Sequence, residues 1–300
     1  MNGGMTLPET ITIREVGPRD GLQPEAPVAV ADRAALVEAL VGAGVRVIEA
    51  VAFVSPKAVP AMAGGAEVLA SVRRVPGVRY IALVPNVKGA TLAVEAGVDG
   101  LSLTVSASET YSQRNVHMSV EESLAQVAAI RSAVGDHLPI DTVISCAFGS
   151  PYEGDLPPAD VGALGTRALS SGSTTLTYAD TTGVATPRRV ADLLAVTGTD
   201  VGLHLHDTRG TALVNAYAAL EAGVVRFDTA VGGVGGSPFA AGAGGNLATE
   251  DLVHLCDDLG IVTGIELDRL LDVSARVADL VGHAVPSRVA AAGPRTRLAG

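Results

Sequence analysis

Two histidines separated by one residue, His204-Leu205-His206, are the sharpest chemical signal in the chain. In a β-strand, residues two apart point the same way, so both imidazoles share one face and Leu205 takes the other. Adjacent imidazoles are costly to bury unless they share a ligand, most simply a metal, or hydrogen-bond to each other as core histidines. Asp20 and Asn246, from opposite ends of the sequence, offer oxygen ligands to the same point. Two imidazoles, oxygens and open water positions suit Mg²⁺ or Mn²⁺, and Zn²⁺ or Co²⁺ also fit.

The elements that must position these groups follow a repeated phrase. A helix-like run ends in a small residue plus glycine and leads into a β-branched run, as at Ala43-Gly44-Val45, Ala96-Gly97-Val98, Ser171-Gly172-Ser173 and Ala222-Gly223-Val224. Glycine past a helix can take the left-handed conformation that ends it, so each phrase reads as helix, cap, strand. Ser119 with Glu122 forms a capping box before 124–134, and Thr186-Pro187 starts a helix over 190–196. Strands are expected near 11–16, 45–50, 79–84, 99–105, 139–145, 174–179, 201–206 and 225–230. Eight strands alternating with helices predict a (β/α)8 TIM barrel, with a doubly wound open sheet as the alternative. An extra helix over 267–280 packs outside it, and the tail over 290–300 is expected to fray. No linker divides the chain, so residues 1–300 read as one domain with its core over about 10–285.

In a parallel barrel the site lies at the carboxyl ends of the strands. Arg19-Asp20, Glu49, Ser106, Asp180, His204, His206 and Asn246 all fall there.

Composition narrows the function classes. Apolar residues make up 48% of 300, enough for a sizeable core. Against 32 acidic residues stand 21 basic ones, a net charge of −11, which disfavours a nucleic-acid partner. Cys146 and Cys256 have no metal-site spacing and cannot build a disulfide framework. Residues 1–10 lack the features of a signal peptide, and 231–249 hold too many glycines for a membrane helix, so a cytoplasmic protein without membrane contact is expected.

Several segments carry a resemblance in order along residues 11–285. Gly17-Pro18-Arg19-Asp20-Gly21-Leu22-Gln23, Ser55-Pro56-Lys57, Pro85-Asn86-Val87-Lys88-Gly89, Ser145-Cys146-Ala147 and Pro151-Tyr152-Glu153-Gly154 are five of them. His204-Leu205-His206-Asp207-Thr208 and the run from Gly244 to Asp251 complete the set. Together they resemble the 3-hydroxy-3-methylglutaryl-CoA lyase family of metal-dependent barrel enzymes. The resemblance implies a divalent cation held by Asp20, His204, His206 and Asn246, an acyl-CoA substrate, a place in leucine degradation, and a homodimer. It implies a retro-Claisen cleavage in which the tertiary hydroxyl loses its proton, a carbon–carbon bond breaks and a thioester enolate departs. Arg19 resembles the family arginine whose charge stabilises that enolate, the alternative being a salt bridge to Asp20 or Glu49. Glu49 and Asp180 match acidic family positions that orient Arg19 or a ligand histidine, or move a proton. Glu15 lies in the same motif with its direction open, strand geometry is expected to turn Asp207 away from the metal to cap the following helix or orient a group behind the site, and Cys146 is expected to line the pocket.

Two positions depart from the family. The glycine-rich run from Gly232 to Phe239 resembles the family's mobile loop, but Ser237 stands where the lyases carry a proton-donating cysteine. Ala26 replaces a lysine found in relatives. These departures leave open a citramalyl-CoA-like or longer branched substrate, a condensing synthase, or a metal-binding scaffold without catalysis.

Overall fold

The computed structural model describes residues 7–236 and 244–297. Eight parallel strands close into a barrel in sequence order: β1 (Thr12–Glu15), β2 (Val47–Ala52), β3 (Arg79–Leu83), β4 (Gly100–Ser106), β5 (Ile140–Ser145), β6 (Thr175–Ala179), β7 (Gly202–His204) and β8 (Arg226–Thr229). β8 closes on β1 with Thr12 opposite Arg226 and Glu15 opposite Thr229. This is the TIM barrel expected from the strand–helix alternation, and it excludes the open sheet.

Helices α1 (Val30–Gly42), α2 (Gly65–Ser71), α3 (Val87–Glu95), α4 (Glu109–Val116), α5 (Val120–Val134) and α6 (Pro158–Ser170) cover the first six strands. α7 (Pro187–Thr197), α8 (Ala212–Ala222) and α9 (Thr249–Leu259) complete the ring, and α10 (Leu267–Val281) and α11 (Arg288–Ala292) follow. The start signals act as expected. Ser119 and Glu122 satisfy each other's amides in a capping box on α5, and the Thr186 side chain caps α7 with Pro187 in its first turn. Gly223 ends α8 at φ +97°, a conformation a side chain would strain. Buried aliphatics from strands and helices, among them Val37, Leu40, Ile48, Val68, Ile130 and Leu220, form the layer between barrel and helices. Each stabilises by about 1.5–3 kcal/mol relative to an exposed side chain. α10 packs outside the barrel, burying Leu270, Val273 and Val277 against the rest.

Two expectations need correction. β7 ends at His204 rather than 206, because the chain leaves the ladder and His206 bridges Asn246 in antiparallel fashion instead. The expected frayed tail over 290–300 begins with α11, because Asp251 accepts hydrogen bonds from the Ser287 hydroxyl and the amides of Arg288 and Val289. Among the described residues no helix is long and apolar enough to cross a membrane.

Candidate active site and metal centre

The first site segment is the turn Gly17–Gly21, which leaves β1 as a widened π-helical turn. The amides of Gly21 and Leu22 donate to the carbonyls of Val16 and Gly17, five residues back. Gly17 has no alternative here, since a Cβ would lie 2.5 Å from a Glu15 carboxylate oxygen. Arg19 is thereby turned to Glu49, third residue of β2, donating from Nε at 2.5 Å, and to Asp20 from Nη1 at 2.7 Å. The Ser102 hydroxyl of β4 donates to the other Glu49 oxygen. Both pairings named from sequence are present, and together they hold the guanidinium in one orientation.

The second segment is the end of β7. His204 Nε2 lies 3.0 Å from His206 Nε2 and 4.0 Å from Asp20 Oδ2. Asn246 Nδ2 donates to Asp20 Oδ2 at 2.8 Å and to the Val234 carbonyl at 2.9 Å. Asp20, His204 and His206 each present a ligand atom within 4.8 Å of the others. Two further observations suit a cation at this point. The Asn246 Oδ1 atom is buried without a hydrogen-bond partner, and the Nε2 atoms of His204 and His206 face each other where a shared positive ligand would satisfy both. The histidines hydrogen-bond to each other as a core pair would, but that pairing leaves Asn246 Oδ1 unsatisfied.

Asp20 and His206 rest in the charge states that ligand duty needs. Burial, reinforced by the charge of His204, pushes His206 down to about 3, so it is a neutral imidazole near pH 7. Burial alone would raise Asp20, but the charges of Arg19, His204 and His206 outweigh it and hold its carboxyl at about 2. Burial would lower His204 too; its hydrogen bond to Asp228 and the charges of Asp20 and Asp228 win, and its pKa is raised.

Sequence reasoning missed two residues behind His204. Asp228 Oδ2 lies 3.2 Å from His204 Nδ1, and Arg14 grips the same carboxylate from Nε at 2.8 Å and from Nη2 at 2.6 Å. Arg14 Nη1 crosses the barrel to Asp141 on β5 at 2.8 Å. A charged residue at an inward position of a strand, as Arg14 and Asp228 are, was the available signal.

Asp180 donates its own amide to the His204 carbonyl at 2.8 Å, while its carboxylate accepts the amides of Val184 and Ala185. Burial raises that carboxyl to about 6. Asp207 accepts the Ala212 amide at 3.0 Å and so caps α8. Cys146 is buried at φ +57°, its thiol pushed up to about 12 by burial. Ser237 lies outside the described residues.

Comparison with known proteins agrees with this geometry. A 3-hydroxy-3-isohexenylglutaryl-CoA/hydroxymethylglutaryl-CoA lyase of Pseudomonas aeruginosa is 42% identical over 96% of this chain and 98% of its own. The mitochondrial hydroxymethylglutaryl-CoA lyase of Homo sapiens is 41% identical, over 96% of this chain and 90% of its own. A solved lyase from Acinetobacter baumannii, in complex with coenzyme A and 3-methylmalate, superimposes with a TM-score of 0.93 at 40% identity, covering 100% of this chain and 99% of that one. The HMGL-like family pattern matches residues 10–277. The match spans the barrel, the Arg-Asp turn and the histidine pair, and the chain belongs to the HMGL-like family.

Proposed function

We propose that the protein is a divalent-metal-dependent carbon–carbon lyase that cleaves 3-hydroxy-3-methylglutaryl-CoA to acetyl-CoA and acetoacetate. The observation that carries this reading is the convergence of Asp20, His204, His206 and Asn246 on one buried point with Arg19 beside it. Those four residues would hold the cation, with Mg²⁺ or Mn²⁺ favoured by the oxygen and imidazole donors. When bound, the cation supplies Lewis acidity toward the tertiary hydroxyl, lowering the pKa of its proton.

The chain's own groups do the rest. Glu49, hydrogen-bonded to Arg19 and Ser102, orients the guanidinium toward the thioester oxygen where negative charge develops. Asp180, with a carboxyl near 6, is the candidate to take the hydroxyl proton, since a base works best with a pKa near the working pH. As that proton leaves, the bond between the carbinol carbon and the carbon next to the thioester breaks. The electron pair stays on the acetyl-CoA fragment as an enolate, and a proton delivered to its carbon completes the product. We assign that delivery to Ser237, on the resemblance of its loop to the family's. The reading extends to a homodimer in the cytoplasm acting in leucine degradation, supported by the family resemblance, and to an acyl-CoA substrate, supported by the coenzyme A in the Acinetobacter baumannii complex.

One observation favours a second reading, a longer branched substrate: the Pseudomonas aeruginosa relative is named for the isohexenyl substrate as well. Parallel determination of kcat/KM for both thioesters decides between them. The first reading predicts the higher value for 3-hydroxy-3-methylglutaryl-CoA; a clear preference for the isohexenyl compound moves the assignment to the second.

A further inference from the structure

We propose that Glu15 is a positioning residue whose carboxylate ties together the three chain segments that carry Asp20, Val234 and Asn246. Arg14, next to it on β1, bonds to Asp228 and Asp141 inside the barrel, so Glu15 points outward, toward the start of α9. It is fully buried. Oε1 accepts the amide of Gly17 at 2.8 Å, at the root of the Arg19–Asp20 turn, and the amide of Val231 at 2.9 Å, at the root of the glycine-rich run. Oε2 accepts the hydroxyl of Thr249 at 2.5 Å, three residues after Asn246. These segments come from residues 17, 231 and 249, and they meet on one side chain.

What the three segments share is the ligand set. Asn246 donates to Asp20 and to the Val234 carbonyl at once. Gly235 packs so closely that a Cβ would lie 2.4 Å from Asn246 Nδ2 and 3.1 Å from the Asp20 carbonyl. A shift of any one root by a few tenths of an ångström therefore moves Asp20 and Asn246 relative to each other. The neighbouring carboxylate of Glu250 accepts the amide of Gly232 at 3.0 Å and the Ser274 hydroxyl at 2.6 Å, fixing the same run from the side of α10.

Glu15 acts through accepted hydrogen bonds, not through charge. Its partners are two amides and a hydroxyl, all neutral, and burial already raises its carboxyl to about 7. A glutamine can fill the place. Its carbonyl accepts both amides while its NH₂ donates to Thr249, whose hydroxyl turns to Thr229, 2.7 Å away. An aspartate is one methylene too short to reach all three.

The proposal rests on Asp20 and Asn246 being cation ligands. The test measures Mn²⁺ affinity, by the resonance signal of free Mn²⁺, together with kcat and KM, in wild type, Glu15→Gln, Glu15→Asp and Thr249→Val. Glu15→Asp, folded by circular dichroism, should bind Mn²⁺ roughly tenfold more weakly and lose kcat with KM little changed, a size typical of groups that orient ligands. Glu15→Gln should stay within about threefold of wild type in both. Wild-type affinity and kcat in Glu15→Asp would overturn the proposal, as would an equal loss in Glu15→Gln. If Glu15→Asp does not fold, Thr249→Val decides: loss of kcat in a folded protein supports the proposal and unchanged kcat overturns it. A wild type that binds no Mn²⁺ refutes the reading of the site and this proposal with it; a wild type that binds while the variants do not differ refutes this proposal alone.

Discussion

Replacing Asp228 by alanine should loosen His204 before it does anything else to the site. The carboxylate is 5% exposed and is the partner of His204 Nδ1 at 3.2 Å. In the neutral ring that contact favours the proton on Nδ1, with Nε2 the ligand atom of the proposed site. Loss of such a partner typically weakens metal affinity by about 10- to 100-fold, or about 1.4 to 2.8 kcal/mol. A separate cost falls on the fold. Arg14 would lose one of two buried carboxylate partners and keep Asp141 at 2.8 Å. Truncating one member of a buried pair costs about 3–5 kcal/mol, and the surviving partner places this case near the lower end. At roughly 2–4 °C per kcal/mol for a large domain, Tm should fall by about 6–12 °C. Mn²⁺ titration by calorimetry, with a melting curve on the same sample, separates the two effects. Asp228→Asn keeps an acceptor for His204 and should lose less affinity than Asp228→Ala. An alanine variant that melts lower yet binds Mn²⁺ like wild type would refute the orienting role and leave Asp228 purely structural.

Arg19→Met should lower kcat by about 10²–10³-fold with little change in KM, since its charge counts only as the enolate forms; a loss confined to KM contradicts this. Glu15→Gln should alter the pH dependence of stability. Burial raises the Glu15 carboxyl from 4.5 to about 7, so the folded state holds the proton more tightly than the unfolded one. The stability this contributes is complete below pH about 4.5 and is lost as pH rises through about 7. The variant lacks that titration, so its stability relative to wild type should rise between pH 5 and 8, by up to about 3 kcal/mol; a pH-independent difference in denaturant unfolding contradicts it. Ser237→Cys places a thiol of reference pKa about 8.5 in the loop and should speed cleavage, a tenfold gain needing about 1.4 kcal/mol. Unchanged turnover would detach Ser237 from proton delivery.

Much of this site was legible because strand geometry converts spacing into direction. His204 and His206 had to share a face, and glycine after each helix marked the strand starts well enough to reveal the barrel. Asp20 and Asn246 were named from opposite ends of the chain, and the fold brings them together, Asn246 Nδ2 donating to Asp20 at 2.8 Å. The direction of Glu15 was not readable, because a slip of one residue in a short strand exchanges inside for outside. Arg14 settles it by reaching Asp141 across the barrel. Asp228 was missed for a related reason: Arg226-Phe227-Asp228-Thr229 alternates polar and apolar like any half-exposed strand, and only closure of the barrel puts its polar side indoors. The role of Glu49 against Asp180 needed coordinates as well, since only they show which carboxylate reaches Arg19.

On the proposed reading, the cluster of Asp20, His204, His206 and Asn246 holds the cation that cleavage of 3-hydroxy-3-methylglutaryl-CoA requires. Protein stripped of metal with a chelator and freed of it should be inactive. Back-titration with Mn²⁺ or Mg²⁺ should restore cleavage, with acetyl-CoA and acetoacetate released in equal amounts and activity saturating at one cation per chain. His206→Ala should fail to recover under the same titration. Full turnover in the stripped protein, or none of this thioester cleaved with either cation present, would refute that reading.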